Sequence, residues 1–371
     1  MQTDNSIKIA GIPKKLDQLG ITDLYDGLES CGSTAARLGE TWDRLTSDFQ
    51  ALSTFLMLGL PIESMFAERP LVSSVLSLLE PLKIISHDNG LISLSGLVLE
   101  RYRGVWFFAD APRFSPTLYF GYDSIGLARR LQSSPNGKAL DLCSGPGIQA
   151  LILAQGGMKT TAIDINPIAS DLCELNASIN GLKKTMTIVS GNLYDAVDPE
   201  ERFDLIVANP PLLPIPEGVP YPFIGDGGPD GSDVVIEILS GAHDRLTQSG
   251  TLLLIGMTTY KDGKIIPEKR ISAALEESKL IGLMSIISTY ETRRDRSWVQ
   301  GLAISSIKHN SEKYSSVSDA EAHIVKEYSN LGATHVCTYV LRAWSDSLID
   351  LPRLRIQDFS GNMEGQNPWR I

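Results

Sequence analysis

Four short apolar runs, each ending in a polar or glycine-rich turn, constrain this chain more than any other feature. The first is Lys138-Ala-Leu-Asp-Leu-Cys-Ser-Gly-Pro-Gly147, whose glycines open a helical pattern. The other three runs cover residues 160–164, 186–190 and 203–208. Strand-like runs that alternate with helical patterns predict an α/β fold, in which a parallel sheet carries helices on both faces. Ligands of such sheets bind at the carboxyl ends of the strands.

The turn after the first run is suited to a ligand. Gly145 and Gly147 let the backbone approach a bound molecule, and the helix that follows directs its amide-rich N-terminus to the same place. Asp164 ends the second run, seventeen positions after Gly147. A carboxylate near this offset binds a ribose in dinucleotide-binding βαβ units. The glycine-rich turn alone is a weak signal, and Asp164 is what favours a nucleotide-like ligand.

The polar residues at the strand ends resemble the motifs of one enzyme family. In chain order they are Asp141-x-Cys-Ser-Gly-x-Gly147, Ile163-Asp164, Gly191-Asn-Leu193 and Asn209-Pro-Pro-Leu212. This series resembles a class I S-adenosylmethionine (SAM) methyltransferase of the Asn-Pro-Pro branch. That branch includes release-factor glutamine, rRNA guanine-N2 and adenine-N6 DNA methyltransferases. The Gly227-Gly-Pro-Asp-Gly231 loop also resembles the glutamine enzymes. The resemblance implies a Rossmann-like, seven-stranded core and SAM as the cofactor.

The resemblance also implies which residues bind SAM. Asp141 would bind the ammonium group or order water near it, and Asp164 would accept both ribose hydroxyls, because a carboxylate has lone pairs for two donors. The Asn192 amide oxygen would accept from the adenine amino group, a role that an aspartate has in many relatives. The remaining cofactor-binding residues implied are Ser144, Gly145, Gly147, Ile165, Leu193 and Asn209.

Asn209 and Pro210 are the catalytic residues that the resemblance implies. Proline fixes φ and removes a backbone donor, so the Asn209 side-chain oxygen and the Pro210 carbonyl can be aimed at one point. Two acceptors in this arrangement suit a planar NH or NH2 group and turn its lone pair toward the methyl carbon. Tyr122 is a third catalytic candidate, in an aromatic segment that either borders the site or is a packing linker.

The acceptor is predicted to contact residues after the Asn-Pro-Pro triplet. These are Pro211, Leu212, Tyr221, Phe223 and Asp226, within a long proline- and glycine-rich loop. Long loops inside compact domains are often functional. Relatives usually have tyrosine or phenylalanine at Leu212, where the ring stacks on a planar acceptor. Leucine lacks that face, which favours a small-molecule or peptide acceptor.

The charge, cysteine content and hydropathy of the chain limit which kinds of partner it is expected to bind. The formal net charge of −11 and the pI near 5.0 argue against a nucleic-acid partner, because neutralising phosphates requires a basic face. The four cysteines are scattered, which predicts neither a disulfide framework nor a metal site. No apolar run reaches the length of a membrane span and the start lacks a secretory signal. We therefore expect no membrane partner and a cytoplasmic location.

Residues 1–110 are predicted to form an N-terminal domain and residues 111–371 the SAM-dependent methyltransferase domain. Residues 1–15 are polar, which predicts a frayed start. Two strands around Asp88-Asn-Gly90 follow a helical region, and this order predicts a mainly helical, winged-helix-like domain. The helical patterns cover residues 16–29, 33–58 and 70–82.

The candidate recognition helix of this domain contains no arginine or lysine over residues 71–80. Such a helix has no side chain to meet phosphate or guanine. We therefore favour packing on the catalytic core, shaping of the acceptor pocket or a homodimer contact over DNA binding.

The C-terminal part resembles the antiparallel strand pair that ends this class of fold, with one inserted helix. Ser318-Asp-Ala-Glu321 is a capping-box pattern that predicts the start of this helix, which ends at Leu331. The strand predictions are residues 251–255, 280–289, 299–307 and, as the last strand, 335–343.

The favoured hypothesis is a SAM-dependent N-methyltransferase with a small-molecule or peptide acceptor, in specialised metabolite biosynthesis. Methylation of a carbon in an indole-like aromatic ring is an alternative, as is N-methylation of a protein glutamine or an rRNA guanine. The alternative that is not an enzyme is a non-catalytic module that binds SAM or nucleic acid. The intact Asn209-Pro-Pro triplet argues against this alternative.

Overall fold

The structure is a computed structural model that describes residues 9–28, 34–112, 117–345 and 352–361. The helices are Ile12–Gln18 (α1), Ile21–Leu28 (α2), Thr34–Thr41 (α3), Ser47–Leu56 (α4), Pro70–Leu79 (α5), Tyr122–Arg130 (α6), Ile148–Gln155 (α7), Pro167–Ile179 (α8), Asp233–Ala242 (α9), Glu268–Glu277 (α10), Ser297–His309 (α11) and Val317–Asn330 (α12). The strands are Ile62–Glu63 (β1), Ser86–Asp88 (β2), Leu91–Ser93 (β3), Leu97–Tyr102 (β4), Val105–Asp110 (β5), Lys138–Leu142 (β6), Lys159–Asp164 (β7), Met186–Ser190 (β8), Phe203–Ala208 (β9), Leu246–Lys261 (β10), Lys264–Ile265 (β11), Leu280–Glu291 (β12), His335–Ser345 (β13) and Leu354–Gly361 (β14).

The described residues form two compact units, and the α/β class is confirmed. The first unit contains the chain up to Pro135 and the segment Ser144–Ser190. The second contains Asn136–Cys143 and the chain from Gly191. The predicted domain boundary between residues 110 and 111 stays a prediction. No described helix is long and apolar enough to cross a membrane.

The N-terminal part of the first unit consists of α1–α5 and a small antiparallel sheet in the order β1-β3-β2. The predicted turn joins β2 and β3, with Asn89 at φ 47° and Gly90 at φ 75°. Two consecutive left-handed residues are typical of a two-residue hairpin turn. The helices bury a shared apolar core whose largest fully buried members include Tyr25, Phe55 and Leu79. Helices followed by this hairpin agree with the winged-helix-like prediction.

Three sequence predictions for this part of the chain were wrong in their limits. The start of the chain was expected to be frayed through residue 15, but α1 begins at Ile12 with a proline in its first turn. Gly20, at φ 74°, separates α1 from α2 where one helix was predicted. A short 3-10 turn at Trp42–Arg44 likewise divides the helical region predicted over residues 33–58. Residues 1–8 and Ser33 lie outside the described residues.

Asn176 of α8 and Asn180, the residue that caps the end of α8, hold the β4–β5 hairpin within the first unit. The Asn176 side chain accepts from the Phe108 amide at 2.8 Å and donates to the Phe108 carbonyl at 3.0 Å. One turn later, Asn180 makes the same pair of bonds to Trp106, at 3.0 and 2.6 Å. Because residues four apart share a helix face, the two amides bind alternate residues of β5. The backbone groups of Trp106 and Phe108 are thus satisfied by side chains.

Each unit contains part of the strand pattern predicted for the core. In the first unit, β7 and β8 pair in parallel, from Thr160 opposite Met186 to Asp164 opposite Ser190. In the second, the strands run in the order β14-β12-β13-β10-β9-β6, and β11 pairs with β10. The β6–β9 and β9–β10 pairs are parallel, and β13 is antiparallel to both β10 and β12. Seven of the eight strands predicted from residue 138 onward are therefore present.

The C-terminal part differs from the sequence prediction in four respects. Residues 299–307 belong to helix α11 rather than to a strand, so two helices separate β12 from β13 instead of one. The N-cap of α12 is Ser316, which accepts from the Asp319 amide, and not Ser318. A further strand, β14, follows β13 and pairs in parallel with β12. Strand β13 is therefore not the last.

The fold predicts that burial decides the cost of truncating a leucine in the N-terminal part of the chain. Leu52 in α4 is fully buried, so Leu52→Ala should lower the free energy of unfolding by about 2–5 kcal/mol. Leu60 is 52% exposed, and Leu60→Ala should change it by about 0.5 kcal/mol or less. Urea unfolding followed by circular dichroism measures both, and equal losses would contradict the described core.

Candidate active site

The glycine-rich turn between β6 and α7 has a left-handed backbone at three positions. Cys143, Gly145 and Gly147 have φ values of 56°, 52° and 91°. Within the first unit, the Ser144 amide donates to the Ile163 carbonyl at 3.0 Å, and the Gly147 amide donates to the Ser144 carbonyl at 2.8 Å. These bonds fix the turn beside the end of β7.

Gly147 is required for close packing as well as for its backbone angle. A Cβ atom at this position would lie 2.3 Å from Sγ of Cys173, which is buried on α8. Gly145 is different, because the nearest atom to a Cβ there is the Tyr119 carbonyl oxygen at 3.8 Å. Space is therefore left open above Gly145 and not above Gly147. An open backbone at Gly145 fits the predicted approach of a ligand.

Asp164 binds this turn through its side chain. One carboxylate oxygen accepts from the Gly145 amide at 2.7 Å, and the other accepts from the Asn166 amide at 2.9 Å. Each oxygen has a further lone pair, so the group can still receive two hydroxyl donors. Burial raises the pKa of Asp164, and the two amide hydrogen bonds oppose part of that rise. The carboxylate fits the ribose-binding role that the resemblance implies.

Two other predicted residues, Ile165 and Tyr122, also belong to the first unit. Ile165 follows Asp164 and is 55% exposed, so its side chain is accessible to an aromatic ring. Tyr122 is the first residue of α6 and is half-buried. Close to it in sequence, the Tyr119 hydroxyl donates to Asp123 at 2.8 Å, and the Phe120 ring packs edge-on against Phe107. This segment thus has packing contacts, and the catalytic role of Tyr122 stays a prediction.

The predicted residues of the second unit begin on two adjacent strands. Asp141 is almost fully buried on β6, where it lies opposite Val207 of β9. Asn209 and Pro210 follow the last residue of β9, and the Asn209 amide oxygen is buried. Parallel strands end at the same edge of a sheet, so Asp141 and Asn209 belong to one edge.

Asn192 and Leu193 lie at the start of a short 3-10 turn in the second unit. Asn192 is exposed, whereas Leu193 is buried and has a φ of 40°. A positive φ is uncommon for a branched residue and marks a constrained position. Its apolar side chain and the exposed amide beside it are compatible with contacts to a purine.

Residues 209–232, termed the 209–232 loop, are closed by a narrow neck. The Leu213 amide donates to the Gly225 carbonyl and the Gly227 amide to the Leu213 carbonyl, both at 2.9 Å. The Ile215 amide donates to the Gly228 carbonyl at 3.0 Å. A Cβ at Gly227 would lie 2.9 Å from the Pro211 carbonyl oxygen, so only glycine allows this approach. The loop therefore has its own hydrogen-bonded structure.

The end of the 209–232 loop is attached to β10 and α10. The Asp230 carbonyl oxygen accepts from the Thr259 amide at 3.2 Å and the Thr258 hydroxyl at 2.7 Å. The Asp230 carboxylate accepts from the Ser232 hydroxyl at 2.5 Å and from Arg270 at 2.8 Å. The Asp230 carboxylate therefore fixes the end of the loop.

The other candidates in this loop differ in exposure and partners. Leu212 is 6% exposed, whereas Phe223 is 71% exposed. Tyr221 is half-buried; burial raises the pKa of its hydroxyl, and a hydrogen bond with Ser305 of α11 opposes this rise. The Asp226 carboxylate accepts from the Gly228 amide at 2.9 Å. Phe223 is therefore the most accessible of the predicted acceptor contacts.

Several residues that shape these regions were not predicted. Asn176 donates to the Pro146 carbonyl at 2.8 Å, which holds the glycine-rich turn. Arg270 binds Asp230 and Asp233, and Tyr328 binds the Pro214 carbonyl. Each of these contacts joins residues at least 30 positions apart. The asparagine in the middle of a helix was the available signal for Asn176, because this residue has a poor helix propensity.

Residues 122–277 match the family model of the methyltransferase small domain. A release factor glutamine methyltransferase from Rhodopirellula baltica is 31% identical over 136 residues, which are 34% of this chain and 46% of that protein. A ribosomal protein uL3 glutamine methyltransferase from Bradyrhizobium diazoefficiens is 32% identical over 169 residues, or 41% and 53% of the two chains. A putative protein N5-glutamine methyltransferase from Methanocaldococcus jannaschii is 29% identical, covering 36% and 68%.

The resemblance to class I SAM-dependent methyltransferases is confirmed. The match also confirms the Rossmann-like methyltransferase core and supports SAM as the cofactor. The chain spans about half the length of the first two relatives. The matched methyltransferase domain contains the glycine-rich turn, Asp164, the Asn209-Pro-Pro triplet and the whole 209–232 loop.

Gly147 offers a test of the packing of the turn. Gly147→Ala combines a left-handed backbone, which costs about 1–2 kcal/mol, with the clash against Cys173. Gly145→Ala has the backbone cost alone, so we expect it to lower the free energy of unfolding less. Adding Cys173→Ala to Gly147→Ala removes the clash. The free energy of unfolding of this double variant, measured in urea, should therefore rise to about that of Gly145→Ala. Equal losses in the two single variants would contradict this packing.

Asp164 should make SAM binding depend on pH. Protonation removes an acceptor, so affinity should fall as the pH is lowered through the pKa of Asp164, which burial places above that of an exposed aspartate. Asp164→Asn should weaken binding about tenfold and remove most of this pH dependence. Calorimetric titration with SAM across the acidic range measures both effects. A pH profile that is the same in both proteins would exclude Asp164 as the titrating group.

Proposed function

We propose that this chain is a SAM-dependent N-methyltransferase whose acceptor is the side-chain amide of a protein glutamine. The observation that carries the proposal is the Asn209-Pro210-Pro211 triplet at the end of β9, within a matched methyltransferase small domain. The names of the relatives support the choice of acceptor, because all three are glutamine methyltransferases. They give no support to a small-molecule acceptor in specialised metabolism.

The proposed roles follow from the chemistry of the side chains. Bound SAM supplies a methyl group on a positively charged sulfur, which is already a good leaving group. Asp164 and the turn at Gly145 hold the ribose and the amino-acid end. The Asn209 amide oxygen and the Pro210 carbonyl accept hydrogen bonds from the acceptor NH2 and turn its lone pair outward. The contribution of the protein is mainly orientation, for which rigid acceptors are well suited.

Leu212 is the departure from the usual pattern, and its burial shows how the loop accommodates it. At 6% exposure its side chain is buried and offers no surface to an acceptor. Stacking on a planar amide would then have to come from another aromatic residue. Phe223 is the predicted acceptor contact with the largest exposed fraction and supplies such a face. A glutamine acceptor is therefore compatible with leucine at this position.

Incubation of the purified chain with methyl-labelled SAM and candidate acceptors tests the proposal. A bacterial release factor and ribosomal protein uL3 are the protein acceptors to use, with ribosomal RNA and free tryptophan as comparisons. The expected product carries one methyl group on a glutamine nitrogen, located by tandem mass spectrometry. Label found only in RNA, or on a carbon atom, would refute the proposal.

The division of roles predicts different effects for two substitutions. Asn209→Ala should reduce methyl transfer by about a hundredfold or more, because the acceptor loses its orientation, and should weaken SAM binding much less than a substitution of Asp164 does. Asp164→Ala should instead weaken SAM binding. Asn330→Ala, at an exposed site on α12, is the matched control and should change neither. Equal loss of SAM affinity in the Asn209 and Asp164 variants would overturn this assignment.

A further inference from the structure

The helices α11 and α12 contact the 209–232 loop through a buried tyrosine. Tyr328 of α12 is fully buried, and its hydroxyl donates to the Pro214 carbonyl at 2.6 Å. The indole nitrogen of Trp298 in α11 donates to the same hydroxyl at 3.0 Å. The Tyr328 hydroxyl thus accepts one hydrogen bond from Trp298 and donates another to Pro214. The two helices inserted between β12 and β13 both contribute to holding one carbonyl of the loop.

Pro214 occupies a position in the neck where its carbonyl controls the loop geometry. Its neighbours Leu213 and Ile215 make the backbone bonds that close the neck, to Gly225, Gly227 and Gly228. Asn209 is only five residues before Pro214, and two of the intervening residues are the rigid prolines Pro210 and Pro211. A displacement of the neck is therefore transmitted to Asn209 with little freedom to absorb it.

Burial makes the Tyr328 hydroxyl difficult to replace. Pro214 and Tyr328 are both buried, so water has little access to the carbonyl if the hydroxyl is removed. A buried carbonyl without a partner is costly, and the backbone is expected to move to satisfy it. The opposite end of the loop is held separately by Arg270 and Asp230. Loss of the tyrosine bond should therefore loosen the neck without releasing the whole loop.

We propose that Tyr328 is a positioning residue for the Asn209-Pro210 pair, and that Trp298 orients its hydroxyl. Tyr328 acts through the Pro214 carbonyl and does not contact the acceptor. The effect on methyl transfer rests on the proposed function, whereas the effect on the neck does not. The inserted helices α11 and α12 are on this view a support for the catalytic loop.

Tyr328→Phe is the direct test, because it removes one oxygen atom and keeps the ring. Amide hydrogen exchange of Leu213, Ile215 and Gly227 should become about tenfold faster, since these amides close the neck. The turnover rate for glutamine methylation should fall about tenfold, and the Kd for SAM should stay within about twofold. Trp298→Phe, which keeps the tyrosine bond but not its orientation, should give smaller changes in the same direction.

Tyr25→Phe is the matched control. Tyr25 is also buried, its hydroxyl donates to the backbone carbonyl of Leu99 at 2.5 Å, and its ring packs against Trp106. Tyr25→Phe should lower the melting temperature about as much as Tyr328→Phe does. Amide exchange at the neck should stay as it is in the unchanged protein. Faster exchange in the Tyr328 variant alone supports the proposal, whichever acceptor the enzyme uses. Unchanged exchange at the neck, or the same increase in the control, overturns it.

Discussion

The glycine-rich turn proposed to bind the cofactor depends on the hydrogen bonds of Asn176. Its side chain binds both backbone groups of Phe108 and the carbonyl of Pro146. One buried amide thus fixes the β4–β5 hairpin and the glycine-rich turn relative to α8. An asparagine can do this because it offers two donors and an acceptor in one plane. The left-handed turn at Gly145 and Gly147 would otherwise leave the Pro146 carbonyl buried without this partner.

The strand-end residues could be predicted because their signals are local. A glycine that needs a positive φ, an acid after an apolar run and a proline pair each report on their own backbone. Gly145, Asp164 and Asn209 were all placed at strand ends from the sequence, and the structure has them there. Their roles toward SAM and the acceptor come from the resemblance.

The contacts that support these residues could not be predicted, because they depend on tertiary packing. Tyr328 and Pro214 are 114 positions apart, and nothing near either residue indicates the other. The error at residues 299–307 has a different origin. Val299, Leu302, Ala303 and Ser306 are buried at spacings of three and four, which is a helical period. The β-branched residues in this segment favoured a strand, but the burial pattern corresponds to a helix.

The 209–232 loop combines a rigid neck with an exposed tip, and this difference bears on how an acceptor is chosen. The neck has three backbone hydrogen bonds and the Tyr328 contact, so its geometry is fixed before an acceptor binds. Phe223 near the tip is 71% exposed and is free to adapt. Orientation of the reacting nitrogen requires precision of a fraction of an ångström, whereas recognition of the surrounding acceptor surface tolerates side-chain movement. A change of acceptor among related chains can therefore proceed through the tip while the neck and Asn209 stay constant.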